Sequence, residues 1–458
     1  MLAALLIYAV RTHTSGQRRH PSAALAWVLI IALLPYVGLP LYLVLGQRKF
    51  ARPTRRVVGP SEPPDNSLQN CAIATLQGMG LSPPASNRHI GFHQDGRAAW
   101  DALATLIESA QAQLDISTFV LGNDAVGERL ASLLERRAAA GVRVRLLLDA
   151  VGSWQTSASR LRRLRDAGVQ VHWYMPLLHN PLRGRTNLRN HRKLGIADNQ
   201  RLWTGGRNLA AEYFISEGGI PPWIDLSFSL EGPLASEAQR LFESHWRSGE
   251  PGTALGETHS PSPVPPLPPL PAQTGTQSIC PHRAQLVPSG PDQAEDTFYG
   301  LLLTTLFRAQ HRVIAVTPYF VPDDSLLTAL CLAARRGVQV ELVIPARSNH
   351  RLADIARARA LRDLVAAGGK VRLSAAMVHA KVVVVDDALA LCGSLNLDAR
   401  SLFLNFELMV AFYSQDDISS VTQWVDGQFS ALPFFEPVQP SLLRDIAEGL
   451  VRWLGFQI

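Results

Sequence analysis

Apolar and polar positions divide this chain into stretches with different periods. From Ser22 to Gln47 the run SAALAWVLIIALLPYVGLPLYLVLGQ carries no charge. It exceeds the roughly 20 residues a helix needs to cross a bilayer. Pro35 and Pro40 predict kinks in it, and Trp27, Tyr36 and Tyr42 are aromatic residues of the interfacial kind. From His89 the pattern alternates between periods near 3.6 and runs that suit strands. Helices are predicted over Ala98–Ala112, Ala125–Ala140 and Ala158–Ala167, interleaved with strands Leu114–Val120, Val142–Leu148 and Val169–Tyr174. An alternating strand, Leu226–Leu230, and a helix, Ala235–Trp246, follow. The order then repeats. Helices over Asp296–Gln310, Ser325–Arg336 and His350–Ala366 alternate with strands Arg312–Thr317, Val338–Ile344 and Lys370–Leu373. Asp323 or Asp324 caps the second of these helices. Strands alternating with helices predict an α/β fold, and the repeated order predicts two similar halves.

Between the halves, Glu250–Gln277 holds SPSPVPPLPPLP, an extended, coreless spacer. The expected organisation is therefore a membrane anchor (1–56, with its transmembrane helix over about 22–47), a linker (57–88), a first α/β domain (89–249), the proline-rich linker (250–277), a second α/β domain (278–440) and an amphipathic C-terminal helix (441–458). In that last helix Leu442, Leu443, Ile446, Leu450, Trp453 and Leu454 share a face. The formal charge of +6 points to an acidic partner, either anionic lipid, nucleic acid or a phosphorylated substrate. Five basic residues after the apolar run (Arg48, Lys49, Arg52, Arg55, Arg56) against three before it favour a cytoplasmic catalytic part. The four cysteines show no metal-ligand or disulfide spacing.

The chemistry gathers where the two halves repeat each other most closely. His379 and Lys381 precede the β-branched run Val382–Val385, then Asp386, Gly393, Ser394 and Asn396. His191 and Lys193 precede Asp198, Gly205, Gly206 and Asn208 in the same way. Seventeen residues separate His from Asn in both copies, and seven separate His from Asp. A His–Lys pair with Ser and Asn at strand ends is a phosphate site, and two copies predict one shared site. Lys193 and Lys381 neutralise a phosphodiester, and Asn208, Ser394 and Asn396 donate hydrogen bonds. One neutral imidazole attacks phosphorus while a charged one protonates the departing oxygen. Asp225 and Glu407, each downstream of one histidine, are the candidate orienting acids. The basic loop NPLRGRTNLRNHR leading to His191 is read as gathering anionic substrate. This chemistry calls for no metal and no cofactor.

With these residues in view, the chain resembles the phospholipase D superfamily, whose signature is His-x-Lys-x4-Asp in two copies. The closer resemblance is to bacterial cardiolipin synthases. It is carried by RRHPSAALAWVLIIALLPYVGLPLY, LRNHRKL, TGGRNLAAEY, TPYFVPDD and HAKVVVVDDALALCGSLNLDARSLFLNFE. The resemblance implies two phospholipase D-like α/β domains sharing one site, a phosphatidyl-histidine intermediate and a phosphatidylglycerol hydroxyl as acceptor. It also implies an anionic phospholipid substrate and a place in the bacterial inner membrane, while the span at Ser22–Gln47 favours lipid over nucleic acid, so no nucleic-acid partner is expected. The signature residues would be His191, Lys193, Asp198, His379, Lys381 and Asp386, with the two aspartates in the family more often structural supports than direct participants. The chain departs from the family pattern in its short first apolar segment, its proline-rich insert and Ile224, where an arginine is usual. A hydrolase of the same superfamily, acting on lipid or nucleic acid, is the alternative, since water replaces the alcohol without any change of signature. A lipid-binding scaffold with a relic site is the third.

Overall fold

The computed structural model describes residues 1–15, 21–46, 67–176, 187–248, 282–442 and 448–449. The proline-rich linker, most of the basic loop before His191, the basic residues after the apolar run and most of the C-terminal helix lie outside the described residues.

Two mixed sheets repeat one strand order. The first runs His89–His93, Ser227–Glu231, Arg201–Gly205, Leu194–Ala197, Gln113–Thr118, Arg143–Asp149, Gln170–Tyr174. The second runs His282–Ser289, Glu407–Phe412, Leu389–Gly393, Val382–Val385, Arg312–Val316, Gln339–Pro345, Lys370–Ser374. In each, three strands pair in parallel and the rest antiparallel. The two sheets face each other across a shared core. Leu194, Ile196 and Phe228 of the first meet Leu286, Val382, Val384 and Val410 of the second, with Phe242, Trp246 and Trp424 added from two helices. Val383 and Val385 point the other way, into the helix-covered outer core with Leu330 and Leu361. The unbroken valine run is thus a strand covered on both faces.

Helix and strand boundaries follow the sequence closely, with instructive differences. The stretch read as a linker contains a helix, Leu68–Gly78, capped by Ser67. Its Ala72, Ile73 and Leu76 are buried in the second domain's outer core. The strand Ala85–Asn87 then pairs with His282–Ser289 and becomes an edge of the second sheet. Residues packed on the α/β domains therefore start upstream of His89, with the helix capped by Ser67. The predicted helix His350–Ala366 is two, Arg351–Ala356 and Ala358–Ala366.

The N-terminal apolar run also differs from the expected single span. It forms two helices, Pro21–Leu33 and Pro35–Leu45, interrupted at Leu34, because proline disfavours helical backbone in the residue before it. A third helix, Leu2–Ser15, packs on them. Tyr8, Trp27 and Tyr42 meet edge-to-face inside this bundle, so Trp27 and Tyr42 are core residues here, while Tyr36 is exposed. Among the described residues no helix is long and apolar enough to cross a membrane.

Candidate active site

Both histidines are fixed by backbone pairing between the halves. Asn190 forms a parallel bridge with Phe406, and Val378 forms one with Ile224. His191 N–H donates to the Phe406 carbonyl at 2.9 Å, and His379 N–H donates to the Ile224 carbonyl at 2.7 Å. Phe406 and Ile224 immediately precede Glu407 and Asp225. Each half therefore delivers its acid beside the other half's histidine. His191 Nδ1 lies 3.0 Å from Glu407 Oε1, and His379 Nδ1 lies 2.7 Å from Asp225 Oδ2. All four side chains are buried. With Nδ1 turned to a carboxylate, each ring keeps its proton there and leaves the Nε2 lone pair for chemistry.

The lysines complete one shared site. Lys193 Nζ donates to the His191 carbonyl at 2.6 Å and faces the Phe119 ring. Lys381 Nζ donates to the His379 carbonyl and lies 2.7 Å from that ring's Nδ1. Burial lowers the pKa of Lys193 to about 7 and that of Lys381 to about 8, with Glu407 and Asp225 resisting the fall. Burial, reinforced by Lys381, lowers His379 to about 3. Burial also lowers His191, against the pull of Glu407. The charge of each lysine acts on both rings. Burial opposes ionisation of Asp225 and Glu407, but the lysines and imidazoles outweigh it and hold both carboxyls low. The site thus carries two neutral rings, two oriented carboxylates and two ammonium groups close to losing their protons.

Several expected residues do other work. Asp198 and Asp386 stand beyond the far ends of the strands that begin after Lys193 and Lys381, away from the histidines. Each adopts positive φ, 52° and 49°, in the turn to the next strand. Asp386 accepts the backbone N–H groups of Gln310, His311 and Arg312, and Asp198 those of Gln111, Ala112 and Gln113. They fix the start of each domain's first parallel strand and are no part of the reacting constellation. Ser394 Oγ donates to Glu407 Oε2 at 2.5 Å and accepts from Leu408 N–H, so it supports the acid rather than a phosphate. Asn208 Nδ2 donates to Tyr213 Oη, and Asn396 Nδ2 donates to Ser401 Oγ. The three expected phosphate donors are therefore engaged with protein partners.

Gly206 replaces Ser394 for a visible reason. A Cβ at Gly206 would run into Asp225 Oδ1. The shorter acid takes the space that the serine occupies in the other half, so Gly–Asp and Ser–Glu are two solutions to one geometry. Ile224, where the family has arginine, contributes its backbone to the bridge while its side chain packs on the central core.

Sequence reasoning missed the aromatic frame and one buried cation. Phe119 meets His191 edge-on at 5.0 Å; Tyr213 and Trp223 lie 5.0 and 5.6 Å from His379. Trp223 had a signal, being two residues before Asp225 and on the same side of an extended chain. Arg192, between His191 and Lys193, is fully buried. It pairs bidentately with Asp292, at 2.8 and 3.0 Å, and donates through Nε to the Glu407 carbonyl at 2.8 Å. An arginine amid buried positions, where the second copy has Ala380, was its signal.

A family profile described as "Cardiolipin synthase, PLD-like domain" matches residues 103–246 and 302–432, and one described as "Phospholipase_D-nuclease N-terminal" matches residues 2–47. The chain is 32% identical to cardiolipin synthase A of Pseudomonas aeruginosa (strain LESB58), over 96% of this chain and 90% of that protein. It is 32% identical to cardiolipin synthase A of Pseudomonas putida (strain W619), over 94% and 91%. The crystal structure of a phosphatidylserine synthase from Haemophilus influenzae superposes with a TM-score of 0.64 at 13% identity, covering 84% of this chain and all of that one. At that identity the likeness speaks for the fold.

Proposed function

The chain belongs to the cardiolipin synthase family of phospholipase D-like proteins, and from that premise we propose that His191 and His379 pass a phosphatidyl group between two phosphatidylglycerol molecules. The activity is phosphatidyl transfer that forms cardiolipin. The crossed pairs His191–Glu407 and His379–Asp225 carry the assignment of residues.

The crossed geometry supports the following steps. The phosphodiester enters between Lys193 and Lys381, whose charge offsets that of its oxygens and of the transition state. Its negative charge raises the affinity of the nearby rings for a proton, so one ring becomes charged while the other stays neutral. The neutral Nε2 attacks phosphorus. An N–P bond forms, the P–O bond to the headgroup glycerol breaks, and the charged ring gives its proton to that oxygen. The second phosphatidylglycerol then offers a headgroup hydroxyl. The now neutral acid ring takes its proton, the oxygen attacks phosphorus, and the N–P bond breaks. The products are cardiolipin and glycerol, and the enzyme returns to its starting protonation. The N-terminal profile match, the lipid substrate and the basic residues following the apolar run support a place at the bacterial inner membrane with the catalytic domains on the cytoplasmic side.

Expression in cells lacking cardiolipin, followed by lipid analysis, tests the reading. Cardiolipin appears with the wild-type chain and not with His379→Ala or His191→Ala. Folded wild-type protein that yields no cardiolipin overturns it, and release of phosphatidic acid instead makes the enzyme a hydrolase.

A further inference from the structure

In both halves the segments that follow the parallel strands leading to the site carry exposed apolar side chains and arginines without partners among the described residues. In the first half, Gly152 and Ser153 pack on Phe119, the ring beside His191, and Ser153 Oγ donates to the Phe119 carbonyl at 2.8 Å. The next residue, Trp154, is 72% exposed. It borders a cavity of about 430 Å³ lined also by Leu161, Arg162, Arg165, Asp166 and Trp173. The helix Ala158–Asp166 holds four arginines. Arg160 and Arg163 are paired with Glu128 and Glu135, whereas Arg162 and Arg165 are exposed and have no partner among the described residues.

The second half repeats this at the equivalent place. Asn349 and His350 follow the strand Gln339–Pro345, as Trp154 follows Arg143–Asp149. They hold Tyr319 by a 2.5 Å hydrogen bond and an edge contact. Phe320, the residue after Tyr319, pairs in parallel with Leu397, which follows Asn396 at the site. Beyond them Leu352 and Ile355 are 50% and 41% exposed, and Arg347 and Arg351 are exposed without partners among the described residues. A third loop ends on Trp223, also beside His379, and carries exposed Ile220. Asp166 and Glu217 are the exposed acids on these three segments, against four arginines without partners among the described residues.

Apolar tips among such cations suit a surface that is oily below and negatively charged above. We propose that these segments form a docking surface for an anionic lipid bilayer, seating the mouth of the site on the membrane so that phospholipid enters without crossing water. The docking is a property of the catalytic domains, separate from the N-terminal apolar helices. It rests on the lipid reading of the site for its purpose, though not for its test.

The full chain is reconstituted in vesicles of phosphatidylglycerol with either plain or brominated acyl chains. Subtracting the emission of Trp154→Phe from wild type isolates Trp154 among the nine tryptophans. The isolated signal loses most of its intensity in brominated lipid. An Ile355→Trp probe placed in the Trp154→Phe chain is quenched likewise. Equal Trp154 emission in both lipids overturns the proposal. With each arginine near a membrane surface worth about 1 kcal/mol, Arg162→Glu/Arg165→Glu lowers transfer on anionic vesicles roughly tenfold or more. Transfer on a short-chain lipid dispersed below its micelle threshold is unchanged. An equal loss in both assays overturns the proposal by making the arginines structural. Absence of transfer by wild type in either assay counts against the proposed function and leaves the quenching result standing.

Discussion

At the scale of single residues, the site works through charges held where water is excluded. Lys193 and Lys381 are positively charged below about pH 7 and 8 and lose that charge as pH rises. Their charge is what offsets the phosphodiester, so kcat/KM, which reports the free enzyme, falls on the alkaline side of that range. Lys193→Arg keeps its charge and moves the alkaline limb upward, whatever its absolute rate. A pH–rate profile of the two proteins checks this. The Gly206–Asp225 and Ser394–Glu407 pairs give a sharper test. Gly206→Ser displaces Asp225 and lowers kcat about 100-fold, the order of loss that a misplacement near 1 Å produces. Adding Asp225→Glu recreates the pairing of the other half and restores part of the rate. Steady-state kinetics of the single and double variants decide it. The structure brings together both histidines, both lysines and both acids that the sequence singles out as candidates. Which acid serves which histidine was not legible there, because that follows from backbone bridges between segments more than 150 residues apart.

At the scale of elements, the motif aspartates act as turn fasteners. Three backbone amides converge on Asp386, and hydrogen bonds to charged groups contribute about 1.5–3 kcal/mol each at most. Asp386→Ala therefore lowers the stability of the folded chain by on the order of 3 kcal/mol while the surviving native protein keeps its kcat. Urea denaturation followed alongside activity separates the two effects. The sequence places this aspartate at the same offset in both copies, and offset alone does not tell a catalytic carboxylate from one that closes a turn. The helix Leu68–Gly78 was hidden for a related reason. Its surroundings are polar and proline-containing, and its three buried side chains acquire their meaning only against the helix Thr297–Arg308 and its neighbours.

At the scale of the whole molecule, two sheets with the same strand order meet over one continuous core, and the active site lies on that seam. Arg192 and Asp292 pin the seam with a buried bidentate pair, joined by His245. Burial opposes the ionisation of Asp292, and Arg192 with His245 overcomes it. Arg192→Met leaves that carboxylate buried without its cation, which costs about 3–5 kcal/mol, and it also frees the Glu407 carbonyl. The thermal midpoint falls, and Asp292→Asn combined with Arg192→Met recovers part of it because no uncompensated charge remains. Calorimetry of the single and double variants measures both.

The sequence by itself determined the local periods, hence the helices and strands, and the duplicated His–Lys motif, hence the phosphodiester chemistry. These are properties of short stretches, written in spacing and side-chain type. The tertiary structure alone decided that each half orients the other's histidine. It also placed Asp198 and Asp386 in turns and Ser394 against Glu407, and it left exposed apolar tips and arginines without partners among the described residues beyond the strands of both halves. Each of these depends on which distant backbones lie side by side, and burial at that seam, rather than residue type, sets the protonation states on which the chemistry runs.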